Sequence, residues 1–151
     1  MAAERLNLRP DSLTTQAVLM SEYISAIMEP ALAANGLKAA TFDLLSTIHA
    51  AGESATQANI AHRLGIKPPS LTEALRSVKH LVEQIPSPTD SRAKHLRLTS
   101  EGRNALAAAI AAIEDAGKSV VSGIEKRELA AAIEVMKRAN QILARSLSES
   151  W

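Results

Sequence analysis

The chain of 151 residues is long enough for one compact domain, or for one domain with a helical extension. Hydrophobic residues make up 46% and charged residues 22% of the chain, which excludes a disordered protein, and the formal net charge is +1. There is no cysteine, which excludes disulfides, thiolate metal sites and thiol-based sensing. Because only three residues are aromatic, the core is predicted to be aliphatic.

The first residues and the longest apolar run bear on the location of the protein. Glu4, Arg5 and Arg9 leave no apolar segment near the N-terminus, so no signal peptide is predicted. The longest uninterrupted apolar run, 105–113, is far shorter than the about 20 residues that a bilayer span needs. We therefore predict a cytoplasmic protein with no membrane partner, in which residues 1–10 form a flexible arm.

Two helices are predicted in the first third of the chain. Asp11 or Ser12 can N-cap a helix that runs to about residue 34, where Asn35 and Gly36 stop it. Its apolar residues recur at helical spacing: Leu13, Ala17, Met20, Ile24 and Ile27. A second helix is predicted over 39–51, ended by Gly52, with Phe42, Leu45 and Ile48 facing inward.

The next segment has the pattern of a helix-turn-helix. Thr56 is a suitable N-cap for a helix that ends at Leu64, and Gly65 stands where a tight turn between helices needs a positive φ. Ile66 is predicted to fill the core after the turn. Two prolines then start the second helix, predicted over 68–80, because proline suits the first helical turn.

A β-hairpin and two further helices complete the predicted elements. Residues 81–85 and 95–99 are β-prone, and Leu96 and Leu98 alternate with polar residues as in a half-buried strand. The nine residues between them contain two prolines, which predicts a stiffened loop. A helix begins near residue 100 and breaks near 122–126, and a last helix follows over 126–146. Apolar stripes run along both: Leu106, Ile110, Ile113, Val120 and Ile124, then Leu129, Ile133, Met136, Leu143 and Leu147.

These elements predict a mainly α fold with a small β-hairpin. Residues 37–100 would form a winged helix-turn-helix DNA-binding domain, and residues 11–36 and 101–151 a helical dimerisation region. The charge distribution fits this division, since residues 56–99 carry seven basic and three acidic side chains, a net charge of +4, and the remainder carries −3. A basic module on a mildly acidic frame is expected of a DNA-binding protein, although chance clustering would give the same count.

The helix over 68–80 carries the candidate DNA-reading residues. At 100° per residue, Leu71, Ala74, Leu75 and Val78 face inward, and the opposite face holds Pro69, Thr72, Glu73, Arg76 and Ser77. Small polar side chains let a helix approach base edges in a major groove about 12 Å wide. Arg76 is then predicted to read a guanine, and Ser70 and Thr72 a phosphate or a thymine methyl. Glu73 would accept from cytosine N4 or orient a neighbour; the alternative is an ordinary solvated face.

The hairpin loop adds a second candidate contact. Arg92 and Lys94 project from a loop that prolines stiffen, and an arginine so placed can enter a narrow minor groove. Asp90 is a plausible acceptor that holds the arginine in place. An ordinary polar hairpin tip remains the alternative.

Three segments of the chain are ANIAHRLGIKPPSLTEALRSV, LVEQIPSPTDSRAKHLRLTSEG and, at 36–45, GLKAATFDLL. Together they resemble the multiple-antibiotic-resistance regulator (MarR) family of bacterial transcription factors. The most specific part is the wing pattern D-x-R…L-T-x-x-G, here at 90–92 and 98–102. The resemblance covers about residues 11–147. It implies a homodimer that pairs through its first and last helices, binds a pseudo-palindromic DNA operator and responds to a small-molecule effector. It also implies that Arg92 enters the minor groove and that Asp90 orients it.

The wing departs from the family pattern at two places. The turn at Lys79-His80-Leu81 is about two residues shorter and lacks a glycine, and Gln84 and Ile85 stand where family members tend to have an arginine. We therefore expect a different approach of the wing to DNA and a weaker attraction to phosphate.

The leading hypothesis from the sequence is a homodimeric transcriptional repressor that a small ligand releases from its operator. Arg76 and Thr72 would read the major groove, Arg92 the minor groove, and four side chains the phosphates: Gln57, Lys67, Lys79 and Lys94. The second hypothesis is a winged-helix interaction module that dimerises without binding DNA. No nucleophile elbow or phosphate-binding glycine loop is present, and the four histidines never recur four residues apart. No enzymatic activity, cofactor or metal is therefore predicted.

Overall fold

A computed structural model describes residue 9 and residues 11–52, 55–86 and 94–148. Within these ranges the chain forms six helices and one antiparallel two-stranded hairpin, which confirms the predicted fold class. In chain order the elements are α1 (Leu13–Ala34), α2 (Ala39–Ala51), α3 (Gln57–Leu64), α4 (Pro68–Ser77), β1 (Val82–Pro86), β2 (Lys94–Leu98), α5 (Ser100–Val121) and α6 (Lys126–Ser148).

Local capping signals account for where the first helices begin and end. The Ser12 hydroxyl accepts a hydrogen bond from the Thr15 N–H at 3.1 Å, so Ser12 rather than Asp11 caps α1. The bounds of α2 are those predicted, and its C-cap is Gly52. In α3, the Thr56 hydroxyl accepts from the Asn59 N–H at 3.2 Å, which confirms the predicted N-cap.

The ends of α4 and of both strands differ from the prediction by one to three residues. α4 ends at Ser77, because Val78 leaves the helical conformation at φ −121° and acts as the C-cap. Each strand is displaced by one residue from its predicted range. The reason is tertiary: the Thr99 N–H donates to the Leu81 carbonyl at 2.9 Å, so these two residues join the base of the hairpin to α5 and lie outside the strands.

The core lies among α2, α3, α4 and the hairpin, and α5 contributes to it. Its buried side chains are all Leu, Ile, Val or Ala, which confirms the predicted aliphatic core. Leu45, Ile60 and Leu71 are almost completely inaccessible to solvent, and Leu106 and Ala109 of α5 belong to the same cluster. Full burial of each such leucine or isoleucine contributes roughly 1.5–3 kcal/mol, so this cluster holds α4 and the hairpin in place.

The prediction for Ile66 is wrong, since its side chain is 36% exposed. Its backbone N–H donates to the Ala61 carbonyl at 3.0 Å and completes the turn after α3. The core at this point contains Leu71, with Leu64 packed against the cluster. Ile66 therefore serves the turn through its backbone while its side chain stays at the surface.

The chain divides into two compact units, the first ending at Ala116 and the second beginning at Gly117. The first contains α1 to α4, the hairpin and most of α5; the second contains the end of α5 and α6. The break predicted between the last two helices is confirmed at residues 122–125. On α6, Leu129 and Met136 are partly buried, whereas Ile133 and Leu143 are exposed.

α1 is the most apolar long helix among the described residues. By length and composition it could cross a membrane, although core helices of water-soluble proteins can have the same length and composition. Only 6% of its most apolar stretch is buried within the chain. Leu13, Met20 and Ile24 are exposed along it. The length of the longest uninterrupted apolar run did not reveal this helix, because Glu22, Glu29 and several hydroxyl residues interrupt its apolar residues.

Candidate nucleic-acid interface

The helix-turn-helix is formed by α3 and α4 around a single left-handed residue. Gly65 adopts φ 64° and ψ 28°, and its N–H donates to the His62 carbonyl at 3.1 Å. A residue with a Cβ pays a steric penalty in this conformation, so glycine permits the tight turn. Lys67 is then extended as the N-cap of α4, and Pro68 and Pro69 occupy its first turn. This geometry places the first turn of α4 at the surface.

The predicted division of α4 into two faces is confirmed. Leu71, Leu75 and Val78 are buried in the core and Ala74 is partly buried. The other face is exposed along its length: Pro69, Ser70, Thr72, Glu73, Arg76 and Ser77. α4 therefore presents a narrow polar surface, with one arginine near its C-terminal end, on a helix whose opposite side is fixed by the core.

Three hydrogen bonds order this exposed face. Arg76 Nη1 donates to Glu73 Oε2 at 3.1 Å, and both side chains are about three-quarters exposed, at 74% and 76%. The Thr72 hydroxyl donates to the Pro68 carbonyl at 3.1 Å, and the Ser77 hydroxyl donates to the Ala74 carbonyl at 2.7 Å. Both hydroxyl protons are thus used within the helix, and these oxygens face outward as acceptors.

The predicted phosphate-binding side chains come from several elements of the helix-turn-helix and the hairpin. Gln57 is the first residue of α3 and is partly exposed. Lys67 precedes α4, Lys79 lies in the turn that follows it, and Lys94 begins β2; all three are exposed. Within the described residues none of the three lysines forms an ion pair, so each ammonium remains available to an anion.

Thr99 joins the hairpin, the turn after α4 and the start of α5. Its N–H donates to the Leu81 carbonyl, its hydroxyl donates to the His80 carbonyl at 2.8 Å, and that hydroxyl oxygen accepts from the Gly102 N–H at 3.0 Å. A Cβ at Gly102 would overlap the Leu81 carbonyl oxygen and lie 3.0 Å from its carbon. The shortened turn at Lys79-His80-Leu81 is therefore closed by Thr99 and needs no glycine of its own.

The hairpin is also tied to the segment before α3. The Leu96 N–H donates to the Ala55 carbonyl at 2.7 Å, and Thr56 pairs with His95 as an isolated antiparallel bridge. Within the hairpin, Arg97 Nε donates to Glu83 Oε1 at 2.8 Å across the strands. Because these contacts join residues far apart in the chain, the base of the wing has a defined position relative to the helix-turn-helix.

Asp90 and Arg92, the predicted minor-groove pair, lie outside the described residues, and their role stays a prediction. The roles of Thr99, Gly102 and the Glu83–Arg97 pair were not predicted from the sequence. The run Leu-Thr-Ser-Glu-Gly could have indicated the roles of Thr99 and Gly102, because a threonine three residues before a helical glycine has the form of an N-cap. The cross-strand pair depends on the hairpin register, which the nine-residue loop left open.

No group of three metal-binding side chains is found among the described residues. His62 and His80 are exposed and His95 is partly buried in β2. The described site is therefore a surface of helical and hairpin side chains, whose charged groups are solvated and suited to reversible contacts with a polyanion.

Several solved structures share this arrangement, although no protein-family model and no curated protein matches the sequence. Wild-type MarR from E. coli, in its apo form, gives a TM-score of 0.74 at 20% identity, over 87% of this chain and 98% of that chain. The chain has the winged-helix fold of the MarR regulators. At this identity the likeness establishes the fold, and the roles of individual residues rest on this chain's own geometry.

Two further MarR-type structures were solved with ligands. A mutant of E. coli MarR complexed with operator DNA gives a TM-score of 0.66 at 22% identity, over 84% of this chain and 92% of that chain. CouR from Rhodococcus jostii RHA1, bound to p-coumaroyl-CoA, gives 0.71 at 23% identity, over 89% of this chain and 92% of that chain. The MarR fold is thus found both with DNA and with a small organic ligand.

Proposed function

We propose that this protein is a DNA-binding transcriptional regulator of the MarR family, with α4 in the major groove. One observation carries the proposal: in a fold shared with a MarR protein complexed with operator DNA, the exposed face of α4 is narrow, polar and includes Arg76. A helix of this kind can approach base edges closely, because its small side chains do not hold it away from the groove. Regulation by DNA binding, rather than catalysis, is the function this surface supports.

The side chains divide into base-reading and phosphate-binding groups. Arg76 and Thr72 would contact base edges, with Ser70 and Pro69 at the entry of α4 into the groove. The phosphates on either side would be contacted by four side chains: Lys67, Lys79, Lys94 and Gln57.

The minor groove would be contacted by the wing. Arg92 would enter the minor groove with Asp90 as its acceptor. The described members of the base-reading and phosphate-binding groups are exposed, Gln57 only partly, and the lysines are unpaired within the described residues, which supports the assignment.

We also propose that the protein acts as a cytoplasmic homodimer, with residues 11–36 and 101–151 as the dimerisation region. The exposed apolar side chains of α1 and α6 support this, since large exposed apolar surfaces mark interaction sites. Glu22 and Glu29 make α1 costly to insert into a bilayer, so a protein partner suits it better. Two-fold symmetry would place the two α4 helices about one DNA turn apart, on a pseudo-palindromic operator.

The likeness to CouR supports a small-molecule effector. CouR, with the same fold, was solved with p-coumaroyl-CoA bound. We propose that this regulator is a repressor which a small organic ligand releases from DNA. The physical requirement is that the ligand binds better to a conformation whose α4 spacing does not fit the operator.

A second candidate function is a dimeric interaction module that does not bind DNA. Two features of the described wing favour it. Gln84 is exposed where MarR proteins tend to have an arginine, and of the two cations on the neighbouring strand, Lys94 and Arg97, Arg97 is already paired with Glu83. Both features lower the positive potential of the hairpin.

Salt dependence distinguishes the two functions. Three lysines per subunit amount to six phosphate contacts per dimer, which would lower affinity about a thousand-fold between 50 and 200 mM salt by counterion release. The measurement is fluorescence anisotropy of a labelled random-sequence duplex, titrated with protein at several salt concentrations. No binding at the lowest salt would leave only the interaction module.

For the wing, Arg92→Ala is expected to lower affinity for a selected operator about tenfold, because the minor-groove cation is lost. The dimer mass, measured by light scattering, is expected to stay the same. Arg138→Ala, which removes one positive charge from an exposed position on α6, is the matched control and should leave affinity nearly unchanged. Equal affinities of the two variants would remove Arg92 from the interface.

A further inference from the structure

We propose that Glu73 and Arg76 act as one base-reading pair, in which Arg76 reads a guanine and Glu73 positions the guanidinium and reads a cytosine in the adjacent base pair. The inference deepens the proposed function and rests on it. It assigns a specificity-determining role to an acidic side chain that would otherwise oppose DNA binding, since a carboxylate facing a groove repels the phosphates.

The hydrogen-bond geometry leaves the required atoms available. Arg76 uses Nη1 to donate to Glu73 Oε2, so Nε and Nη2 remain as two parallel donors. Guanine presents O6 and N7 as two acceptors in the major groove, and a bidentate contact satisfies both. Among the described residues Glu73 accepts from Arg76 through Oε2, which leaves Oε1 for DNA. An ionised carboxylate oxygen can accept from the amino group of cytosine, N4.

The neighbouring side chains on α4 do not compete for Glu73. The hydroxyl protons of Thr72 and Ser77 are donated to the carbonyls of Pro68 and Ala74. Leu71 and Leu75 lie on the buried face. Arg76 is thus the one cation on the exposed face of α4, and the three-residue spacing keeps the pair on that face.

The charges of the pair indicate that it selects among DNA sequences and adds little to the affinity for DNA in general. Both side chains are mostly exposed, so the ion pair adds little to the stability of the free protein. Its summed charge is zero, so it adds little to the general attraction for phosphate. In a groove that excludes water, however, each partner would lack a hydrogen-bond partner opposite the wrong base. The free-energy cost of that loss would lower the affinity for other sequences relative to the correct one.

The test is selection of binding sites from a pool of random-sequence duplex DNA by the full-length wild type and by variants. Wild-type sites should contain a guanine next to a cytosine in each half-site. Glu73→Gln should retain the guanine and lose preference for cytosine about tenfold, with a gain for adenine, because an amide pairs with adenine N6 and N7. Arg76→Lys keeps the charge and the salt dependence but should weaken the preference for guanine, because an ammonium lacks the planar fork that contacts both guanine acceptors and Glu73 at once.

Glu134→Gln is the matched control, because Glu134 forms an exposed pair with Lys137 at the same three-residue spacing, at 2.7 Å. On a helical wheel this pair lies on the polar side of α6, away from the apolar side proposed to pair in the dimer. Glu134→Gln should select the wild-type sequence. If Glu73→Gln also selects the wild-type sequence, Glu73 is a surface ion-pair partner and this inference is overturned while the proposed function stands. If the wild type enriches no sequence, the inference and sequence-specific regulation fail together.

Discussion

Replacing Gly102 with alanine is expected to destabilise the protein by about 3 kcal/mol, the upper end of the roughly 1–3 kcal/mol that overpacking costs, because the atom it meets belongs to the backbone and cannot move aside alone. The added methyl group would overlap the Leu81 carbonyl oxygen, which already accepts from the Thr99 N–H. Relief requires the start of α5 to move away from the turn after α4, which breaks the Thr99 hydrogen bonds. Chemical denaturation monitored by circular dichroism measures the change.

A second glycine of the same helix provides the control. Gly117 also lies in α5, and a Cβ there would meet no atom within 4 Å. Gly117→Ala should therefore stabilise the protein by up to about 1 kcal/mol, the ordinary difference in helix propensity. If both substitutions stabilise the protein, the close approach of Gly102 to Leu81 does not contribute to the native structure.

Replacing Leu143 with aspartate is expected to convert the proposed homodimer into monomers. Leu143 is 60% exposed in the single chain, so the substitution should leave the fold of the monomer intact. At a symmetric interface it would bury one unpaired carboxylate from each subunit, at a cost of several kcal/mol each. Sedimentation velocity at micromolar concentration measures the mass, and operator affinity should fall at least about a hundredfold because the two DNA-binding domains are no longer linked to each other.

Gln141→Asp is the matched control for Leu143→Asp. Gln141 is exposed two residues away on the same helix, and on a helical wheel it lies on the polar side among charged residues. The same charge is introduced with the same helix propensity, so the dimer should persist. A dimeric Leu143→Asp protein would show that this side of α6 does not form the interface.

The sequence determined the features that depend on near neighbours along the chain. The N-cap at Thr56, the left-handed Gly65 and the bounds of α2 follow from capping chemistry and helical periodicity, which act within a few residues. For the same reason the sequence divided α4 correctly into a buried face and an exposed face that carries Arg76. Glu73 and Arg76 are three residues apart, so even the alternative that Glu73 orients a neighbour could be stated in advance.

The tertiary structure decided what depends on residues distant in the chain. The ends of the strands were set by Thr99 and Leu81, the exposure of Ile66 by which leucines occupy the core, and the position of the wing by the contact of Leu96 with Ala55. None of these has a local signal, because each partner is chosen by the three-dimensional packing. Likewise, Gly102 carried a recognisable pattern in the sequence, but only the approach of the Leu81 carbonyl gives the physical reason for a glycine there.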